Sequence, residues 1–287
     1  MKIAFKVTKF KQEALVQIAY CNSVIEEYQR QGMRLTLRQL YYQLVTKNII
    51  KNEEKSYSYL SSLISRGRLS GLIDWDAIED RVRQPRIQSE FDDLSELVEA
   101  AINSYRLPRW EGQEYYAELW VEKDALAGVL APIAREFHVT MMVNRGYSSQ
   151  SAMFESAKRF AAREKQKPLL FYLGDHDPSG EDMVRDIEDR LIMFGIFFIE
   201  VRKLALTMEQ VEEFDPPPNP AKIKDPRAME YIRKYGSSSW EVDALPPRTL
   251  TEIIQNAFIE VIDKPKMDKV LKREKAGIKR LRAVVVK

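Results

Sequence analysis

A chain of 287 residues that is 45% hydrophobic and 31% charged has enough apolar material for one large core or two ordinary ones. No window approaches the ~18 uninterrupted apolar residues of a membrane span. The opening MKIAFKVTKFKQEA lacks a signal peptide's apolar stretch, and the single Cys21 excludes an internal disulfide and a cysteine-built zinc site, so a cytoplasmic protein with no membrane partner is expected. The net charge of +2 conceals a gradient, with +5 over residues 1–90, −11 over 91–263 and +8 over 264–287. Basic ends around an acidic centre suit a protein that grips a polyanion with its flanks and keeps carboxylates for another purpose.

From residue 11 to about 84 the apolar spacing is helical: Leu15, Ile18 and Ala19, then Leu37, Leu40, Tyr41 and Leu44, then Leu60, Leu63 and Ile64. Short helices followed by the basic run SRGRLSGLIDWDAIEDRVRQPR predict a helix-turn-helix or winged-helix module over 1–88. Residues 89–113 read as a connector holding one amphipathic helix, 91–104. The rhythm then changes. Strands are expected at 114–121, 139–143, 169–173 and 196–204, alternating with helices at 124–137, 149–164 and 180–194. Such alternation means βαβ units around a mostly parallel sheet, with right-handed connections. FDPPPNPAKIKDP (214–226) cannot be regular structure, and 206–287 reads as a loop with a helical C-terminal extension. The fold class is therefore α/β, a mainly helical N-terminal domain followed by a βαβ domain over 114–205.

In an open parallel sheet, ligands bind outside the carboxyl ends of the strands, and three carboxylates fall at such ends. Glu122 ends ELWV; Asp175 and Asp177 end LLFYL, the first of them 53 residues after Glu122 and both within GDHDPSG. Adjacent strands would bring all three to one edge. Like charges so close repel, so a cation is expected among them. Oxygen-only ligands suit Mg²⁺ or Mn²⁺, which keep waters that a phosphate can replace. Asp177 has a second, compatible reading as the cap of the next helix, with Pro178 at its first position. Capping explains neither Asp175 nor Glu122. His176 is expected on the opposite side of the turn, still within reach of a phosphate.

WVEKDA and LGDHDPSG resemble the two acidic motifs of the Toprim domain, shared by topoisomerases, bacterial primases and several nucleases. Between them, VNRGYSS resembles the second-strand turn of that domain in topoisomerase VI A subunits and their meiotic double-strand-break relatives. Upstream, TLRQLYYQLV resembles the same family's Arg-acid-x-aromatic-Tyr motif, carried on a winged-helix domain. The likeness spans roughly residues 30–205. It implies a Toprim domain with its metal on Glu122, Asp175 and Asp177, and a DNA-attacking Tyr42 beside Arg38. It also implies a homodimer in which tyrosine and metal come from different subunits. Where the family has an acid after the arginine, this chain has Gln39, which leaves any role of that acid without a bearer.

The residues around Tyr42 can be read without the family. Leu37, Leu40, Tyr41 and Leu44 make the i, i+3, i+4, i+7 stripe of a buried helix face. Tyr42 lies roughly 150° from its middle, so it is expected to face away from the core, with Arg38 one turn earlier on its side. That pair reads either as surface side chains without a role or as a nucleophile beside a phosphate-holding guanidinium. Tyr41 reads as core.

Arg66, Arg68, Arg81, Arg83 and Arg86, interleaved with Trp75, read as a sequence-neutral contact to double-stranded DNA or as partners of the nearby acids. The basic tail from Lys264 is equally open between gripping DNA and being solvated. No GxxxxGK[ST] is present, so no ATP site of that kind is expected, and strand passage would need a separate ATPase subunit. The expected activity is metal-dependent tyrosine transesterification of duplex DNA, a type IIB topoisomerase A-like reaction. A Toprim nuclease using water and a catalytically silent DNA-binding regulator are the alternatives.

Overall fold

In the computed structural model, which describes residues 1–78 and 89–285, the apolar stripes of the first part of the chain close on one another. Helices α1 (Gln12–Gln29), α2 (Leu37–Thr46) and α3 (Glu54–Leu69) bury Ile18, Val24, Leu40, Leu44, Leu60 and Leu63 in one core around Cys21. Thr36 and Gln39 exchange hydrogen bonds as a capping box, which fixes where α2 begins and which way its faces point. Outside these helices the described part of this module holds two isolated bridges, Ala4 with Ser70 and Leu35 with Ile78, and no hairpin. Helix α4 (Leu94–Ser104) starts three residues later than expected, because the Asp93 side chain accepts from the Glu96 amide at 2.9 Å and so stands outside the helix as its cap.

The chain then alternates through β1 (Tyr115–Val121), α5 (Asp124–Phe137), β2 (Thr140–Val143), α6 (Gln150–Ala161), β3 (Lys167–Leu173), α7 (Pro178–Met193) and β4 (Glu200–Ala205). All pairings are parallel, in the order β2-β1-β3-β4. The two central strands read as continuous apolar runs because both their faces are covered. Leu119, Val121, Phe171 and Leu173 pack with Leu126, Leu130 and Ile133 of α5. Trp120, Leu170 and Tyr172 pack with Met153 and Phe160 of α6 and with Met183 and Ile187 of α7. With α5 on one face and α6 and α7 on the other, the direction of winding reverses between β1 and β3, as right-handed crossovers require.

Two expectations need correcting. The fourth strand begins at Glu200, not at residue 196, because Ile196 and Ile199 tuck inward while Phe197 and Phe198 point out, which is the spacing of a turn. The last third, expected as a loop with a helical extension, is part of the core. It forms α8 (Met208–Phe214), β5 (Asn219–Pro220), α9 (Ala228–Tyr235), β6 (Ser238–Ser239), α10 (Pro247–Val261) and α11 (Lys264–Val285). Leu250, Ile254 and Phe258 of α10 join the α5 face of the sheet. A 3₁₀ turn, Val242–Ala244, joins two cores: Val242 and Leu245 pack with the sheet, and Ala244 with α1–α3. The proline-rich 214–226 is largely irregular, apart from the two residues of β5. Among the described residues, no helix is long and apolar enough to cross a membrane.

Glu118 sits mid-β1 with no exposure at all. Arg159 of α6 holds it bidentately at 2.7 and 2.9 Å, and Trp120 Nε1 and the Tyr116 hydroxyl donate at 2.9 and 3.0 Å. Removing one member of a buried pair strands the other charge. Because the arginine side is a third solvent-exposed, Arg159→Met is expected to cost about 3 kcal/mol, the lower end of the range for such pairs. Glu118→Gln/Arg159→Met should recover most of it, and denaturant unfolding of the three proteins measures both.

Candidate metal centre

The reversal between β1 and β3 opens a crevice outside their carboxyl ends, where an α/β sheet presents its ligands. Glu122 and Lys123 leave β1 there, and Asp175 leaves β3. The Glu122 amide donates to Leu173 O at 2.8 Å, and its Oε2 accepts from the Asp175 amide at 2.9 Å. Both glycines of GDHDPSG are required by close approach. A Cβ on Gly174 would lie 2.4 Å from the Tyr172 hydroxyl, and one on Gly180 would lie 2.1 Å from Asp175 O.

The cluster forms around Lys123. Its Nζ lies 2.7 Å from Asp175 Oδ1, 2.6 Å from Glu241 Oε2 and 2.9 Å from Asp243 Oδ1. Glu241 immediately precedes the 3₁₀ turn and Asp243 lies within it, and the turn's Val242 amide donates to Asp175 Oδ1 at 2.9 Å. Arg38 reaches across from α2 to pair with Glu241, and its Nε faces Asp243 Oδ2 at 3.1 Å. Oxygens of Asp175, Glu241 and Asp243 all lie within 4.8 Å of one another, and Asp243 Oδ2 is buried without a well-formed hydrogen bond.

The charges divide unevenly. Burial pushes the Asp175 carboxyl up to about 7, against the pull of Lys123 and with repulsion from Glu122 and Asp243 adding to it. Burial also acts on Glu241, but Lys123 and Arg38 together outweigh it and hold that carboxyl down to about 2. Lys123 is likewise penalised by burial, yet Asp243, Asp175 and Glu241 keep its ammonium charged well above the usual lysine range. Between Asp175 and Glu241, a proton therefore belongs on Asp175.

Asp177 is placed elsewhere. Its Oδ1 accepts from the Gly180 amide at 2.7 Å and the Ser179 hydroxyl at 2.8 Å, capping α7 with Pro178 at the first position, and its Oδ2 pairs with Lys222 at 3.1 Å. Burial raises its pKa, but these donors win and hold it below the ordinary aspartate value. The trio Glu122, Asp175 and Asp177 is thus not the set the fold brings together. Asp175 keeps its place with Glu122 beside it, and Glu241 and Asp243 stand where Asp177 was expected. His176 turns to the other side, as expected, where Nδ1 meets the Tyr231 hydroxyl at 2.7 Å. Its backbone pairs with Trp240 in both directions, at 2.8 and 2.9 Å, and this pairing lays the 241–243 segment over Asp175.

Tyr42 was expected to face away from the core, but it belongs to the α1–α3 core cluster, with Arg38 5.7 Å from its ring centroid. It is only 5% accessible, because the 3₁₀ turn covers its face of α2. Burial raises its pKa, Glu241 adds to the rise and Arg38 opposes it. Tyr41 is core, its hydroxyl 3.0 Å from Asn52 Oδ1. Arg66 is exposed over the Phe10 ring at 4.9 Å, whereas Arg68 spends its guanidinium on the carbonyls of Trp75, at 2.5 Å, and Ile78. Arg81, Arg83 and Arg86 lie outside the described residues.

Lys123, Glu241 and Asp243 escaped the sequence reading, although two signals were available. Lys123 directly follows a strand-ending glutamate, and WEVD alternates apolar with acidic residues as a bridging segment should. No protein-family model matches the sequence, and no curated protein matches it.

If a divalent ion and the Lys123 ammonium share one position, they compete. Lys123→Met should lower the melting temperature by roughly 5–10 °C in chelator, the scale of one broken buried pair. Millimolar Mn²⁺ should then recover more for this variant than it adds to the wild type. An equal response of the two proteins to Mn²⁺ would refute the shared position.

Proposed function

We propose that this chain is a divalent-metal-dependent DNA-cleaving enzyme of the topoisomerase VI A-subunit kind, a Toprim-like sheet served by a winged-helix-like module that presents Tyr42. The observation that carries the reading is the seating of α2 on the acidic cluster. Arg38, next to Tyr42, pairs with Glu241 and Asp243 across more than 200 residues of sequence. Double-stranded DNA is the substrate, two copies of the chain would cut the two strands, and a separate ATPase subunit would supply any energy for strand passage.

The donor set fits a hard cation. It is all oxygen, it is clustered, and one buried carboxylate oxygen lacks a hydrogen bond. Asp175, Glu241 and Asp243 would hold the ion, with Glu122 beside them. Bound there, it would supply positive charge to the oxygens of a phosphodiester.

The protein's own groups carry the rest. The Tyr42 oxygen attacks phosphorus, a tyrosyl-phosphate bond forms, and the bond to one deoxyribose oxygen breaks. The phenol proton passes to a nearby carboxylate and then to the leaving oxygen as a sugar hydroxyl. At pH 7 only about a thousandth of an ordinary tyrosine is phenolate, a penalty of roughly 4 kcal/mol, and Arg38 lessens it by holding negative charge on the phosphate. DNA reaches Tyr42 only when α2 parts from the 241–243 segment.

The burial of Tyr42 also favours a second reading, a nuclease in which water attacks and the tyrosine stays packed. Covalent trapping separates the two. Supercoiled plasmid, protein and Mg²⁺ or Mn²⁺ are stopped with detergent and resolved with and without protease. The transesterase reading expects protein-linked breaks, lost at least a hundredfold in Tyr42→Phe and in Asp175→Ala. Free breaks that survive Tyr42→Phe would establish the nuclease. No breaks with either metal would leave a DNA-binding regulator.

A further inference from the structure

Helix α11 is two-faced. Met267, Val270, Leu271, Glu274, Gly277, Ile278 and Leu281 fall on one side at helical spacing and are buried or half-buried. Glu274 fastens that side, accepting from the Leu107 amide at 3.0 Å and from Arg109 Nε and Nη2 at 3.2 and 2.7 Å. Nearby, a Cβ on Gly277 would sit 2.6 Å from the Tyr105 hydroxyl, so the aromatic ring lies flat across the helix where the side chain is missing. The register of α11 is therefore fixed by packing, and its outward face is fixed with it.

That outward face is almost wholly cationic. All of Lys264, Lys266, Lys269, Lys272, Arg273, Lys275, Lys279, Arg280 and Arg282 are exposed, against one exposed acid, Asp268. Arg273 pairs with Glu111 and Lys266 with Asp263, but Lys269, Lys272, Lys279 and Arg280, which line the middle of the face, have no ion pair among the described residues. Self-repulsion on this scale is tolerated where a polyanion neutralises it.

We infer that the outward face of α11 is a binding surface for the phosphate backbone of duplex DNA, separate from the acidic cluster. The apolar side of the helix is already spent on the protein core, and the exposed side offers no aromatic or large aliphatic residue to insert between lipids, which disfavours a membrane surface. A helix of 22 residues is ~33 Å long, close to one turn of the duplex, so the row can follow a backbone across a groove. The surface is also remote from the cluster. The Asp263 amide, just before α11, donates to Gln113 Oε1 at 2.7 Å, ahead of β1, whereas the cluster lies past the far end of that strand, ~20 Å away. A duplex held on α11 is gripped away from the point of chemistry.

The test is fluorescence anisotropy of the full chain with a 30-base-pair duplex in EDTA, titrated over a range of salt. Wild type should bind with an affinity that falls linearly in log salt. Lys269→Gln/Lys272→Gln/Lys279→Gln/Arg280→Gln should bind on the order of a hundredfold more weakly, with the slope reduced by about 0.9 for each lost phosphate contact. The charge-keeping Lys269→Arg/Lys272→Arg/Lys279→Arg should bind like wild type. Matching thermal melts exclude misfolding of the glutamine variant. Glutamine-variant binding equal to wild type would overturn the inference. So would wild type that ignores the duplex but sediments with vesicles of phosphatidylcholine and phosphatidylserine.

Discussion

Three carboxylates within a few ångströms of one another, two of them buried, cannot stand without positive charge, and much of this molecule's architecture supplies it. Lys123 arrives from β1, Arg38 from the helical module, and the backbone amide of Val242 from the C-terminal third. Each donor belongs to a different stretch of the chain. The electrostatic demand at one point therefore constrains how three stretches sit together, and the 3₁₀ turn that joins the two hydrophobic cores does so beside the cluster. Replacing such an array with apolar residues would serve stability as well or better.

The sheet contributes the frame. Its switch point is a consequence of chain direction: α5 must cross one face and α6 the other, so β1 and β3 are left with an uncovered crevice at their carboxyl ends. Tyr172, Gly174 and Glu122 are locked there by contacts too close for any side chain on the glycine. The site is rigid on its strand side and depends on longer-range contacts on the other, where α2 and the 241–243 segment meet it.

The sheet and its helices were legible because their signal is local. LLFYL and DALAGVLAPIAREF announce a doubly covered strand and an amphipathic helix within a few residues each. Asp175 and Glu122 were legible for the same reason, being acids at strand ends. Asp177 had two compatible readings, since an aspartate before Pro-Ser-Gly caps a helix as readily as it binds an ion, and in the fold its oxygens cap α7 and pair with Lys222. Glu241 and Asp243 were harder to read as ligands because their membership depends on the pairing of Trp240 with His176, a contact spanning 64 residues whose partner the alternation in WEVD does not name. Tyr42 was read as facing away from the core, yet it is buried within the helical module's core cluster. Helical geometry reports the angle of a side chain and says nothing of what a distant segment lays over it.

The pairing of Trp240 with His176 also sets an order of events during synthesis. The helical module and the four strands are complete by residue 205, and domains tend to fold as they emerge. Asp175 and Tyr42 are then already on the folded surface, but the two acids that gather around Lys123 have not yet been made. A nascent chain at that stage holds an unfinished centre, with Lys123 paired to Asp175 and without its other two carboxylates. The acidic cluster becomes complete only after residue 243 leaves the ribosome, so a product truncated before it carries the strand side of the site without Glu241 and Asp243.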